Sequence, residues 1–226
     1  MWALLINGFV KNEEALAKLL ESVARSDWTD EPILVVTGGC KAPTSIEHET
    51  HGRVSFLRVR VPHNSLDYTS MIALIQLPDP RLVFDHYMYI HDTCAVEPLF
   101  FKTIGRHVDK LPAGGVAPVS QFPSMNMGLY PRSAFFGLQG FLLSRKSSDE
   151  WTPEEVDRLK TEAVSLEDAI FVHQPSVSFV MSPKVLPGEQ VVYSTGTVRA
   201  VNYFPEAQLF KYQANWFAKP KYSLDL

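Results

Sequence analysis

The sequence predicts an α/β fold, one domain over residues 1–226, with a mixed, mostly parallel sheet flanked by helices. Three observations carry this expectation. The chain opens as strand, helix, strand by Thr37, and a helix-bearing crossover of that length joins parallel strands. Two further apolar runs, 54–61 and 87–90, are separated by another helical pattern, which continues the alternation. A chain of 226 residues, 46% hydrophobic and 20% charged, also buries a sizeable core without cysteine or metal staples.

In chain order, Trp2–Asn7 is a continuous apolar run ending at Asn7-Gly8. A helix follows with Leu16, Leu19, Leu20 and Val23 on one face, Asn12 as its cap, and Glu13 and Glu14 in the first turn, where the helix dipole favours acids. Pro32–Thr37 is a β-branched strand cut off by Gly38-Gly39. Val54–Val61 is a third strand, whose alternation with Arg58 and Arg60 predicts one less buried face. Asp67 is expected to cap a short helix carrying Met71, Ile72, Leu74 and Ile75, which Leu77-Pro78-Asp79-Pro80 stops. Tyr87–Ile90 is a short strand running into His91-Asp92-Thr93, and a helix spans Glu97 to Val108. Pro112–Phe122 is loop-rich around a weakly marked strand at Val116–Val119. Thr152, Pro153 and Glu155 form a capping-box helix start, and Ser165–Asp168 offers another. Val177–Met181, Val191–Tyr193 and an aromatic tail to Trp216 read as edge strands and a wrapping segment.

Twenty-one basic against 25 acidic residues, a net charge of −4, give no general attraction to a phosphate polymer or an anionic bilayer, so nucleic acid is not an expected partner. No apolar run approaches the roughly 20 residues of a membrane span. Met1–Val10 lacks the basic lead and small-residue cleavage site of a signal peptide. Cys40 and Cys94 stand alone and far apart, which suits a reducing compartment, and the expectation is a cytoplasmic protein.

In an open α/β sheet the ligand crevice lies beyond the carboxyl ends of the strands. Asn7-Gly8, Thr37-Gly38-Gly39, Asn64–Thr69 and His91-Asp92-Thr93 are the small or polar groups at such ends. The chain has no G-x-G-x-x-G after its first strand, no P-loop and no G-x-S-x-G elbow, which argues against a dinucleotide dehydrogenase, a nucleoside-triphosphate kinase and an α/β-hydrolase. Asp92, delivered by a buried strand to the crevice, either binds a metal, a diphosphate-bound metal or sugar hydroxyls, or caps the next helix or turn.

The opening Leu4–Leu16 and the stretch Asp85-His86-Tyr87-Met88-Tyr89-Ile90-His91-Asp92-Thr93 resemble, in order and pattern, the first strand and helix and the acidic D-x-D strand of glycosyltransferases of the Rossmann-like GT-A fold. The likeness spans roughly Trp2 to Asp168. It implies a nucleotide diphosphate sugar donor, a saccharide or other hydroxyl acceptor, a nucleotide-binding half over 1–110 and a sugar and acceptor half over 111–226. It further implies that Asn7, Phe9 and Val10 contact base or ribose, with Thr37 and Gly38 beside the base and Asn64, Asp67 and Tyr68 lining the donor pocket. Asn126 would face the donor sugar, and Glu167 or Asp168 would be the general base of an inverting reaction. The family's signature places carboxylates on Mn²⁺ or Mg²⁺. This chain has one acid there, so the metal would be held weakly by Asp92, held with help from His173, or absent, in which case Arg199 or Lys211 would supply the positive charge at the diphosphate; Thr93 would bind the nucleotide sugar. Two other readings stay open: a binding module of the same fold without transfer activity, and a metal-dependent hydrolase using His86, Asp92 and His173.

Overall fold

The computed structural model describes residues 1–121, 124–164, 177–182, 184–185, 192–193 and 196–214. Its elements are β1 (Trp2–Phe9), α1 (Glu13–Arg25), β2 (Ile33–Gly38), β3 (Ser45–His51), β4 (Val54–Arg60), α2 (Thr69–Gln76), β5 (His86–His91), β6 (Cys94–Val96) and α3 (Phe100–Lys110). Then come β7 (Ala117–Gln121), β8 (Ser124–Pro131), α4 (Arg132–Gly137), α5 (Gln139–Ser144), α6 (Pro153–Val164), β9 (Lys184–Val185), β10 (Val192–Tyr193), β11 (Gly196–Phe204) and β12 (Leu209–Ala214).

The main sheet has seven strands in the order β3-β4-β2-β1-β5-β8-β7. β4, β2, β1 and β5 are parallel neighbours, while β3 and β8 run against them and β7 runs against β8, so the sheet is mixed and mostly parallel, as expected. β1 is central and buried on both faces. Its Leu4 and Ile6 face one core with α1 and α3, and its Ala3 and Leu5 face the other with α2, α4 and α5. Leu16, Leu19, Leu20 and Val23 of α1 are all buried, as the helical spacing predicts, each contributing about 1.5–3 kcal/mol of hydrophobic stabilisation. The far half of the chain joins this framework through β8, paired with β5, and through a second sheet in the order β10-β11-β12-β6.

Several expectations are corrected. Asn12 occupies the cap position of α1 but makes no capping hydrogen bond. Asp67 does not cap α2 either. It sits in a 3₁₀ turn, Leu66–Tyr68, that precedes the helix. The hairpin partner β3 has no counterpart in the sequence reading because SIEHETH lies on the sheet edge and is partly exposed throughout, so it carries little apolar alternation. The helix expected from Glu97 begins at Phe100, where the side chain of Asp27 accepts from the amides of Phe101 (3.0 Å) and Lys102 (2.9 Å). Val177 and Met181 make single bridges to Val116 and Val119 rather than an edge strand. Thr152 does accept from the Glu155 amide at 3.2 Å, but the Glu155 carboxylate turns to Ser148 instead of completing the box. Cys40 and Cys94 are buried free thiols. Among the described residues no helix is long and apolar enough to cross a membrane.

Candidate functional site

From β1 the parallel strands proceed outward through β2 to β4 on one side, and β5 then starts the other side. This reversal makes the carboxyl ends of β1 and β5 the topological switch point, where crossovers leave on opposite faces and a crevice opens. Asn7, Phe9, Asp92 and Thr93 occupy those ends, bound together by Asp92 N–H donating to the Asn7 carbonyl at 3.0 Å.

Asp92 is only 5% exposed. Its Oδ2 accepts from the Phe9 amide at 3.0 Å, and the Asn12 side chain lies close by. The Asn12 Oδ1 is buried without a partner among the described residues. Burial pushes the Asp92 pKa up from 3.8 to about 6, against the lowering effects of the Phe9 amide, the Lys211 ammonium and Asn12, and helped by the charge of Glu13. Lys211 belongs to β12, which pairs with β6 so that Lys211 lies opposite Cys94. Its Nζ donates to Thr93 Oγ1 at 2.6 Å. Two side chains 118 positions apart in sequence are thus brought to one point.

A second wall stands at the ends of β2 and β4. Phe9 packs edge-on against Trp151, with ring centres 5.7 Å apart, and the Lys11 ammonium lies 6.0 Å from the Trp151 ring. Gly39, at φ +76°, leaves room for this pair, since a Cβ there would come within 2.6 Å of the Phe9 ring. The loop carrying Trp151 is tied down by Ser147, whose Oγ accepts from the Asn64 amide at 2.8 Å and whose amide donates to Ser65 Oγ at 3.0 Å. His63 is buried, with Nδ1 2.9 Å from Ser65 Oγ. Burial, with the nearby Lys146, lowers its pKa to about 4 despite Asp149, so it is neutral near pH 7.

The remaining sequence candidates have the following places. Asn7 spends its side chain on the scaffold, donating to the Leu66 carbonyl at 3.1 Å and accepting from the Ser70 amide at 2.9 Å. Val10 is exposed in the turn before α1. Thr37 is buried, with an Oγ1 that has no partner among the described residues. Gly38 is a packing glycine, because a Cβ would strike Thr69 and the His63 carbonyl at 2.7 and 2.8 Å. Asn64 and Tyr68 are buried, Tyr68 edge-on to Phe141. Asp67 Oδ1 lies 3.6 Å from His91 Nε2 at the rim. Asn126 falls in β8 and Arg199 in β11. Glu167, Asp168 and His173 lie outside the described residues. His86 begins β5 and Asp92 follows its end, which sets them about 20 Å apart at 3.3 Å per residue and removes His86 from any shared metal site. Lys11, Asn12, His63 and Trp151 are site residues that the sequence did not single out as such. Only Asn12 carried a signal, as a polar residue just past a strand end.

The described residues do not fit the divalent cation that the resemblance implies. Mn²⁺ or Mg²⁺ asks for several convergent oxygen ligands. Here a single carboxylate already accepts from the Phe9 amide and has an ammonium nearby, and among the described residues no three His, Cys, Asp or Glu converge.

Comparison with solved structures finds a weak likeness to S. aureus TarS. Residues 1–349 of that protein superpose with a TM-score of 0.43 at 12% identity, covering 77% of this chain and 66% of that chain. The same fragment with UDP gives 0.45 at 11%, covering 77% and 67%. With UDP-GlcNAc it gives 0.43 at 11%, covering 61% and 47%. This chain therefore spans about two thirds of that fragment or less. No protein-family profile matches the chain, and no curated protein does.

Proposed function

We propose that this chain is a glycosyltransferase that takes a sugar from a nucleotide diphosphate sugar and passes it to a hydroxyl acceptor. The observation that carries this reading is the convergence of Asp92, Thr93 and Lys211 on the carboxyl ends of β1 and β5. A buried carboxylate whose pKa is raised to about 6 by desolvation, with a half-buried ammonium beside it at a switch point, marks a polar ligand site rather than a surface ion pair.

In this reading the nucleoside lies against the Phe9–Trp151 wall and the diphosphate meets Lys211. The acceptor oxygen attacks the anomeric carbon, and the bond from that carbon to the β-phosphate oxygen breaks. The nucleoside diphosphate leaves with the electron pair, and in an inverting reaction the acceptor proton passes to Glu167 or Asp168. Leaving-group stabilisation by a fixed cation in a water-poor site is the largest contribution expected of the chain. The free buried thiols Cys40 and Cys94 accord with a cytoplasmic setting, which belongs to the same proposal.

Thermal-shift measurements with UDP-, GDP-, CMP- and dTDP-linked sugars test the reading. One donor class is expected to raise the melting temperature selectively, because a native-state ligand stabilises by mass action. Release of the free nucleoside diphosphate in the presence of a saccharide acceptor then reports transfer. Stabilisation without release across an acceptor panel would replace the transferase with a binding module, a reading favoured by the internal satisfaction of Asp92. No stabilisation by any donor would refute both.

A further inference from the structure

We infer that the donor site works without a divalent cation, and that the ammonium of Lys211 occupies the electrostatic role a metal would otherwise fill, with Asp92 as its counter-ion. This rests on the nucleotide-sugar reading above and specifies how the diphosphate is held.

Four observations carry it. First, the position of Lys211 is fixed by backbone rather than by the reach of a flexible side chain. β12 pairs with β6 through Leu209, Phe210 and Lys211, opposite Val96, Ala95 and Cys94, and the Tyr212 amide donates to the Thr93 carbonyl at 2.9 Å. Second, the Lys211 Nζ spends one of its three N–H groups on Thr93 Oγ1 at 2.6 Å, which aims the ammonium and leaves further donors for an anionic oxygen. Third, the exposures are ordered for an anion. Asp92 and Thr93 are 5% and 6% exposed whereas Lys211 is half-buried, so an incoming diphosphate meets the cation and not the carboxylate. Fourth, the Asp92 carboxylate is turned inward, with Oδ2 accepting from the Phe9 amide at 3.0 Å. A dication brought to it would compete with that amide for Oδ2 and stand against an ammonium of like sign, a costly arrangement in a poorly solvated place.

The charges around this point agree. Glu13, which also acts on Asp92, is paired with the buried Arg58 guanidinium. Lys11 adds a second cation over Trp151 at the neighbouring wall. Lys211 is thus a half-buried cation held on Thr93 within electrostatic reach of Asp92, whose charge partly offsets its own before the ligand arrives, as a preorganised anion site requires.

Calorimetric titration of the full chain with UDP, GDP and dTDP, in EDTA and again with Mn²⁺, tests the inference. The expected result is one nucleoside diphosphate bound with the same affinity in both buffers, within about twofold. Lys211→Met should weaken binding at least about tenfold, the loss of one charge-assisted hydrogen bond, and Lys211→Arg should restore most of it. Binding that appears only with Mn²⁺, or that strengthens about tenfold or more on adding it, would overturn the inference while leaving the nucleotide-sugar reading intact. Unchanged binding by a folded Lys211→Met variant would overturn it too. If that variant fails to fold, the comparison of the two buffers on the unmodified chain decides alone. Absence of binding by UDP, GDP and dTDP in both buffers, with no thermal shift from any donor sugar, would bring down the nucleotide-sugar reading and this inference together.

Discussion

Replacing Asp92 with Asn is expected to stabilise the protein, and to do so in a pH-dependent way. The carboxyl ordinarily titrates near 3.8, and burial raises it to about 6 in the folded chain. An acid with a raised folded pKa adds stability at low pH, where it is protonated in both states. That contribution is lost as pH rises from about 4 through about 6, because the unfolded chain releases its proton first. At about 1.36 kcal/mol per pH unit, ionised Asp92 costs the folded state about 3 kcal/mol. The replacement carboxamide keeps an acceptor for the Phe9 amide and has no proton to lose. The advantage of Asp92→Asn over the unmodified chain should therefore grow by about 2–3 kcal/mol between about pH 4 and about pH 8. For a chain of this length that corresponds to a relative gain of about 4–12 °C in melting temperature. Urea unfolding of both proteins at several pH values reads it directly. A difference that stays flat with pH, or a neutral-pH loss of about 1 kcal/mol such as a missing turn cap produces, would show that Asp92 is an ordinary capping residue and refute the reasoning. An acid kept at a site where it costs stability is the pattern of a group retained for what it does to a ligand.

His63 runs in the opposite direction. Its pKa is lowered to about 4, so the stability its neutral form supplies is present above its ordinary value of 6.5 and lost as pH falls from there toward 4; His63→Gln should remove about 3 kcal/mol of that decline in the same urea series. Gly39→Ala forces an L side chain into φ +76° and against the Phe9 ring, and should cost about 1–3 kcal/mol, with tryptophan fluorescence at Trp151 shifting as the ring pair is pried apart. Asp27→Ala strips the amide acceptors from the start of α3 and should cost about 0.5–2 kcal/mol by chemical denaturation, while nucleotide affinity stays unchanged because α3 lies away from the strand ends.

The parallel core is legible in the sequence because its strands are buried on both faces and therefore read as continuous apolar runs, as Trp2–Asn7 and Pro32–Thr37 do. Edge elements are not. Ser45–His51 is a polar edge strand, and Cys94–Val96 is too short to carry a period. At the site, Asp92 stands out because an acid directly after a buried strand breaks the apolar pattern, and Lys211 is visible as a cation in the C-terminal segment that the structure brings beside it. Trp151 and His63 are invisible at that level, since their positions depend on how the loops 147–151 and 61–65 interlock through Ser147, Asn64 and Ser65, a tertiary fact with no local signature. Asn7 shows the reverse case. Its position suggests a ligand role, but its amide clasps the start of α2, work that only a distant partner reveals.

The pairing of β12 with β6 also fixes when the site can exist during synthesis. The strand ends that carry Asp92 leave the ribosome long before Lys211 is made, so a nascent chain holds Asp92 and Thr93 without the ammonium that meets them in the finished fold. Under the proposed function, recognition of an anionic ligand is consequently a property of the finished fold, complete only when the late hairpin of β11 and β12 docks.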